Sequence, residues 1–164
     1  MVRTVSFSGH RTYKDDETNR HRLDAMLASC HAAGYRRFLS GMAEGFDLAA
    51  AEAVLRLRAR HPDVWLGAFV PFRGQARRFS EIDRARYERI LATADECRIL
   101  SERYEGGCFH ARNDLLVEEG ELLLCYYDGS PGGTRHTLRK AHRKGIRIVN
   151  LYQEAGTLFP NDPL

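Results

Sequence analysis

The chain reads as an α/β protein: one mostly parallel sheet with helices packed on both of its faces. Three observations predict this. Short apolar runs alternate with helix-period segments along all 164 residues, with no internal repeat and no linker. Two runs, 64–70 and 121–127, are nearly all apolar, as expected of strands covered on both sides. Polar or glycine-bearing segments recur where strands end, at 9–11, 40–47, 71–75 and 128–134, and parallel sheets bind ligands at the carboxyl ends of their strands.

Residues 4–8 alternate apolar and small polar side chains and form the first expected strand. Gly9, His10 and Arg11 stand at its end. A polar loop at 14–17 leads to a helix that Thr18 is placed to cap. Leu23, Met26, Leu27 and Cys30 share its apolar face, and Gly34 stops it. Residues 37–40 give a second strand. The following helix, 48–60, carries Leu48, Ala51, Val54, Leu55 and Leu57 as its stripe, with small Ala49, Ala50 and Ala53 permitting close approach to a sheet. Pro62 and Asp63 break it before the strand at 64–70. Pro71 and Phe72 end that strand, and a basic loop fills 73–80.

A helix at 82–93 sets Tyr87, Ile90, Leu91 and Ala94 on one side. A short strand at 97–100 and a loop at 101–107 precede a helix at 109–119, with Arg112 and Asn113 in its early turns. The strand at 121–127 carries the strongest burial signal. After the turn at 128–134 come a basic helix at 134–144, closed by Gly145, and a last strand at 146–151. The tail to Leu164 is expected to be loosely held. Length favours one domain spanning 1–164.

The composition, 43% hydrophobic and 29% charged, fits a folded globular chain. The net charge of +3 is mild, Lys and Arg are scattered on helix faces, and aromatics are not interleaved with them. These features weigh against nucleic acid as a partner. Cys30, Cys97, Cys108 and Cys125 form no C-x-x-C pair, and no His pair has ligand spacing, so no metal is expected. His21, His31, His61 and His142 read as surface or packing residues. No apolar leader and no run of membrane length are seen, so a cytoplasmic protein without membrane contact is expected.

The block Ser40-Gly41-Met42-Ala43-Glu44-Gly45-Phe46-Asp47 carries the most chemistry. A strand, a turn with two glycines and a helix offer backbone N–H groups and the positive end of a helix dipole to a phosphate. Gly132, Gly133 and Thr134 repeat that arrangement, with Thr134 either an added donor or simply the helix N-cap. Neither turn is a P-loop, and neither is G-x-G-x-x-G. Asp47 either stabilises the first helical turn or binds a ribose hydroxyl or water. Asp128, followed by Gly129, either binds sugar hydroxyls or opens an Asx turn. Arg11 suits a phosphate, and His10 is an acid, a base or a hydrogen bonder. Arg112 is read as exposed unless a ligand engages it. Arg78, Arg84, Arg86 and Arg89 read as a solvated face. No G-x-S-x-G elbow is present, and Ser40 has no recognisable base.

Taken together, Ser8-Gly9-His10-Arg11, the 40–47 block, Pro71-Phe72 with Gln75, Leu100-Ser101 with Tyr104, Cys108 with Arg112-Asn113, and Tyr127-Asp128-Gly129 with Gly132-Gly133-Thr134 resemble the YpsA-type proteins. That bacterial family belongs to the SLOG superfamily. The resemblance runs from about Thr4 to Leu151. It implies a Rossmann-like three-layer sandwich and a nucleotide or nucleotide-derivative ligand. Superfamily members include the cytokinin-activating, lysine decarboxylase-like phosphoribohydrolases and the single-stranded-DNA-binding DNA-processing protein A. Others are proposed sensors of NAD- or ADP-ribose-like molecules. The phosphoribohydrolases carry Pro-Gly-Gly-x-Gly-Thr-x-x-Glu. Here Pro131-Gly132-Gly133 is followed by Thr134, the later glycine is missing, and Arg139 stands where the family's glutamate would be. That departure argues against their reaction and keeps the phosphate-binding turn.

Three functions follow as expectations. The first is a nucleotide-binding sensor or regulator, for NAD, ADP-ribose or a nucleoside phosphate, with no certain cofactor. Its ligand site takes Gly9, His10, Arg11, Ser40, Gly41, Met42, Gly45, Asp47, Phe72, Gln75, Arg112, Asn113, Asp128, Gly129, Gly132, Gly133 and Thr134, with Arg11 and Arg112 neutralising phosphate. The second is a hydrolase of an N-glycosidic or phosphoester bond, using Asp47, Glu44 and His10. The third is single-stranded nucleic-acid binding. The superfamily's frequent dimers and larger assemblies keep a homo-oligomer in view.

Overall fold

The structure is a computed structural model that describes residues 2–152. The strands are β1 (Arg3–Gly9), β2 (Tyr35–Ser40), β3 (Trp65–Val70), β4 (Glu96–Ile99), β5 (Leu122–Tyr126) and β6 (Arg147–Asn150). The helices are α1 (Glu17–Ala32), α2 (Phe46–Arg60), α3 (Glu81–Thr93), α4 (Cys108–Glu119) and α5 (Gly133–Lys144), with a 3-10 turn at Gln75–Arg78. The sheet order is β4-β3-β2-β1-β5-β6, and every neighbouring pair is parallel. The sheet is thus wholly parallel, a Rossmann-like α/β arrangement.

From β1 the chain steps outward to β4, then returns to lay β5 on the other side of β1. Right-handed crossovers convert that reversal into a change of face. Helices α1, α2 and α3 pack side by side over one face, and α4 and α5 over the other. The point of reversal lies between the carboxyl ends of β1 and β5, where open α/β sheets form a crevice.

The main core joins Val5, Phe7, Phe38, Leu66 and Ala68 of the sheet to Leu48, Ala50, Ala51 and Val54 of α2. Small polar residues on the other side of β1 let α4 approach closely. Ser6 Oγ donates to the Leu116 carbonyl at 2.6 Å, and a Cβ on Gly120 would fall 2.5 Å from that same Oγ. A second cluster, Val117, Leu123, Cys125, Ala141 and Ile148, seats α5. Over β3 and β4 that face carries charge in place of a helix. Arg37 bonds both Glu96 and Glu119, and Arg98 bonds the same two acids. The two guanidiniums lie over the Phe69 ring.

Element ends differ from the sequence reading where caps decide them. Asp16, not Thr18, caps α1: its carboxylate accepts from the Asn19 N–H at 2.8 Å. Helix α2 starts at Phe46, two residues early, because Phe46 and Asp47 are buried in its first turn. Gly132 is the cap position of α5, so Thr134 lies inside the helix, buried, and is not its N-cap. The loop at 73–80 contains the 3-10 turn, and Ser80 ends it by capping α3 through the Asp83 N–H at 3.1 Å. The tail beyond Tyr152 lies outside the described residues.

Candidate functional site

The two glycine turns at the carboxyl end of the sheet differ in what surrounds them. In the first, the glycines make room for the protein itself. A Cβ on Gly9 would enter the Phe46 ring, and one on Gly45 would fall 2.5 Å from the Arg11 carbonyl oxygen. Gly45 also has φ +83°, a left-handed conformation that suits only glycine without strain. The end of β1 is thereby pressed onto the start of α2, and the Phe46 N–H donates to the His10 carbonyl at 3.2 Å. Ser40 Oγ accepts from the Met42 N–H at 3.2 Å and donates to the Asp47 carbonyl at 2.9 Å. The Ala43 N–H donates to Asp47 Oδ2 at 3.3 Å. Three amides of this turn are therefore already engaged.

The second turn is open. No heavy atom lies within 4 Å of a Cβ built on Gly129 or Gly132, and near Gly133 the closest is Asn113 Nδ2 at 3.7 Å. No side chain caps α5, and no acid sits in its first turn.

Arg112 is buried, 5% exposed, which corrects the reading of it as exposed. Its guanidinium donates to the Gly41 carbonyl and, at 2.7 Å, to Asn113 Oδ1, and it lies 5.9 Å from the Phe109 ring centre. Gly41 has no side chain where that guanidinium lies: a Cβ would come within 2.9 Å of it. Gln75 Nε2 donates to the same Gly41 carbonyl at 3.1 Å. Burial lowers the Arg112 pKa, with Asp47 pulling the other way. Asp47 is 5% exposed. Burial pushes its pKa up to about 6, against Arg112 and the N–H groups of Ala43 and Gly9. Asp47 Oδ1 and Gln75 Oε1 have no hydrogen-bond partner among the described residues.

On the other side of β1, His10 Nε2 lies 2.8 Å from Asp128 Oδ1. The Asp128 N–H donates to that nitrogen at 3.1 Å when Nε2 carries no proton; with a proton on Nε2 the ring donates to the carboxylate. Asp128 also opens an Asx turn, accepting from the Ser130 N–H at 2.9 Å and its hydroxyl at 2.6 Å. The hydrogen bonds from Ser130 hold its pKa below the usual carboxylate value.

Beyond the ends of β2, β3 and β4 opens a cleft of about 730 Å³. Among the sequence-predicted residues, Arg11, Glu44, Phe72 and Gln75 line it. Ser40, Gly41, Asp47 and Arg112 are packed around Gln75's anchor, and His10, Asn113, Asp128 and the open turn lie towards β5. Met42 is fully buried. The remaining lining was missed. Phe72 meets Tyr104 and Phe109 edge-on, at 5.6 and 5.8 Å between ring centres. Arg11, Arg77, Arg78 and Arg103 also line the cleft, and none has a carboxylate partner among the described residues. Arg73 does, with Glu102 at 2.9 Å.

Two sequence readings change here. Aromatics and arginines are interleaved after all, and Arg78 faces a cleft. Arg86, read as solvated, instead sits among Asp15, Glu52 and Asp83. The signal available was an arginine-and-aromatic loop after each of two strands, 72–79 and 103–109; strand order makes them neighbours. Among the described residues, no group of His, Cys, Asp or Glu is arranged for a metal, and no helix is long and apolar enough to cross a membrane.

Residues 12–150 match the sequence model of the YspA SLOG family. A UPF0398 protein of Bacillus cereus (strain B4264) is 35% identical over 104 residues, 62% of this chain and 56% of that protein. A UPF0398 protein of Bacillus thuringiensis (strain Al Hakam) is 30% identical over 148 residues, 81% of this chain and 80% of that protein. The fold is similar to DNA processing protein A (DprA) of Streptococcus pneumoniae, with TM-score 0.68, 15% identity, and coverage of 94% of this chain and 52% of that one. It is also similar to DNA processing protein A of Helicobacter pylori, described for its single-stranded DNA binding mode, with TM-score 0.63, 18% identity, and coverage of 94% and 67%. The chain thus spans little more than half the length of the Bacillus cereus and pneumococcal proteins.

Proposed function

Because the chain belongs to the YspA SLOG family, we propose that it binds a nucleotide or nucleotide derivative, NAD- or ADP-ribose-like, as a sensor or regulator. The cleft carries this reading. Four aromatic rings line it beside four arginines that have no carboxylate partner among the described residues. Rings of this kind take a base by stacking, and guanidiniums take phosphate oxygens in pairs. The open turn at Gly132, Gly133 and Thr134 supplies a second anion position at a helix N-terminus. A thermal melt with AMP, ADP, NAD and ADP-ribose tests it. A ligand at about a hundred times its Kd stabilises the fold by about 2.7 kcal/mol. No shift with any of the four at millimolar concentration would overturn the reading.

Binding is favoured over cleavage. Of the three acid–base candidates, only Glu44 lines the cleft, and its carboxylate is held by the Ser80 N–H at 3.0 Å. Asp47 is packed out of reach of solvent. A hydrolase would convert NAD, ADP-ribose or a nucleoside monophosphate to products detectable by chromatography, and would lose that turnover in Glu44→Gln.

A second reading, single-stranded nucleic acid in the same cleft, draws on the interleaved rings and arginines and on the fold shared with the Helicobacter pylori protein. Competition separates the two: ADP-ribose displacing a labelled oligonucleotide assigns one site to both, while an oligonucleotide that never binds removes this reading.

A further inference from the structure

Helix α5 lies away from the cleft lining and carries a charge distribution unlike the rest of the chain. Its twelve residues include five Lys or Arg and no Asp or Glu. The whole chain is +3, so the residues outside α5 carry a formal net charge of −2.

The helical repeat sorts the five cations into two groups. Lys140 and Lys144 turn towards α4. Lys140 pairs with Asp114 at 2.9 Å, and Lys144 Nζ donates to the Val117 carbonyl at 2.8 Å. Arg135, Arg139 and Arg143 recur every four residues, a row with roughly 6 Å between steps. Arg139 and Arg143 are exposed and Arg135 is half-buried. The row has no carboxylate partner among the described residues. Arg36, Arg56 and Arg58 by contrast pair with Asp63, Asp24 and Asp95, whereas Arg77, Arg78 and Arg103 of the cleft share the row's lack of a carboxylate partner among the described residues. Like charges four apart on a helix repel by a few tenths of a kcal/mol, and no acid among the described residues relieves that cost for the row.

We propose that the exposed face of α5 docks on the phosphate backbone of double-stranded nucleic acid. A polyanion neutralises such a row. Arginine suits phosphate oxygens because its fork donates two parallel hydrogen bonds, and the step of the row is comparable to the distance between successive phosphates. The apolar residues of α5 are already used: Thr137 and Ala141 are buried, and Leu138 packs on the Val117–Ile148 cluster. The exposed face therefore has nothing to insert into a bilayer, and the one exposed ring it carries is the His142 imidazole beside Arg143. Charge read from a regular backbone is what it offers. The inference does not rest on the cleft or its ligand.

The test is fluorescence anisotropy of a short mixed-sequence duplex, titrated with the protein from about 50 to about 200 mM salt. Three phosphate contacts give a slope near −3 in log affinity against log salt, at about 0.9 per contact. Charge reversal in R139E/R143E is expected to cut affinity about tenfold or more at the lowest salt and bring the slope to about −1. The cleft variant R77A/R78A retains the wild-type values, and circular dichroism melts verify that both variants fold. Should the reversal misfold, R139Q/R143Q replaces it, with the same expected direction. Wild-type affinity and slope in the α5 variants would overturn the proposal. So would binding of the single strand alone with loss in R77A/R78A, no duplex binding at the lowest salt, or co-sedimentation with anionic vesicles in the absence of duplex binding.

Discussion

At Gly41 the Arg112 side chain occupies the space that any other residue would fill. The Arg112 guanidinium lies where a Cβ would point, and its bond to the Gly41 carbonyl fixes the turn. Gly41→Ala is expected to lower stability by about 1–3 kcal/mol, the usual cost of overpacking. Gly106→Ala, where nothing lies within 4 Å, should stay within about 0.5 kcal/mol. Chemical denaturation of both reads the difference, and equal midpoints would remove the role given to Arg112. Asp47 makes a second prediction, in pH. Its folded pKa of about 6 exceeds its ordinary 3.8, so the folded state binds the proton more tightly. The stability linked to that proton is complete below about pH 4 and is lost as pH rises through about 6. Relative to Asp47→Asn, the wild type should gain on the order of 1–3 kcal/mol between pH 7 and pH 4. A flat difference across that range would show that the carboxyl is not desolvated.

Three elements build the aromatic wall of the cleft: Phe72 follows β3, Tyr104 lies in the loop before α4, and Phe109 is in its first turn. Tyr104 is 63% exposed, so Tyr104→Ala should leave stability within about 0.5 kcal/mol. It should weaken nucleotide binding by about 1–3 kcal/mol, the value of one stacked base, as isothermal titration calorimetry would measure. Unchanged affinity would move the base elsewhere. The elements were legible in the sequence for a physical reason. Residues such as Leu123, Leu124 and Cys125 are buried on both faces of a strand, and an uninterrupted apolar run is the trace this leaves. The cleft was not legible, because the arginines of 73–78 and the ring of Tyr104 meet only through the β3–β4 pairing. The burial of Arg112 was not legible for a related reason: its partners are a carbonyl and an amide, which leave no charge pattern to read.

At the scale of the molecule, three helices cover one face of the sheet and two the other, and the Arg37, Arg98, Glu96 and Glu119 lattice roofs the uncovered strands. Burial raises the Glu96 pKa, but the hydrogen bonds from Arg37 and Arg98 outweigh it and hold the group below its ordinary 4.5. The stability it contributes is present above that value and is lost as pH falls through its folded pKa. Glu96→Gln should therefore flatten the acid limb of a denaturation series below about pH 4.5, opposite in sign to Asp47. An unchanged acid limb would mean the lattice carries no stability. The strand order has a consequence in time as well as in space. Val5 pairs with Phe38 on one side and with Leu122 on the other. As the chain leaves the ribosome, β1 to β4 can assemble while the far edge of β1 stays bare until β5 is made. A bare central edge is a template for pairing with the wrong chain, and closing it spans most of the sequence, the slowest kind of contact to form. The vulnerable moment in this protein's synthesis is therefore the interval before Leu122 arrives.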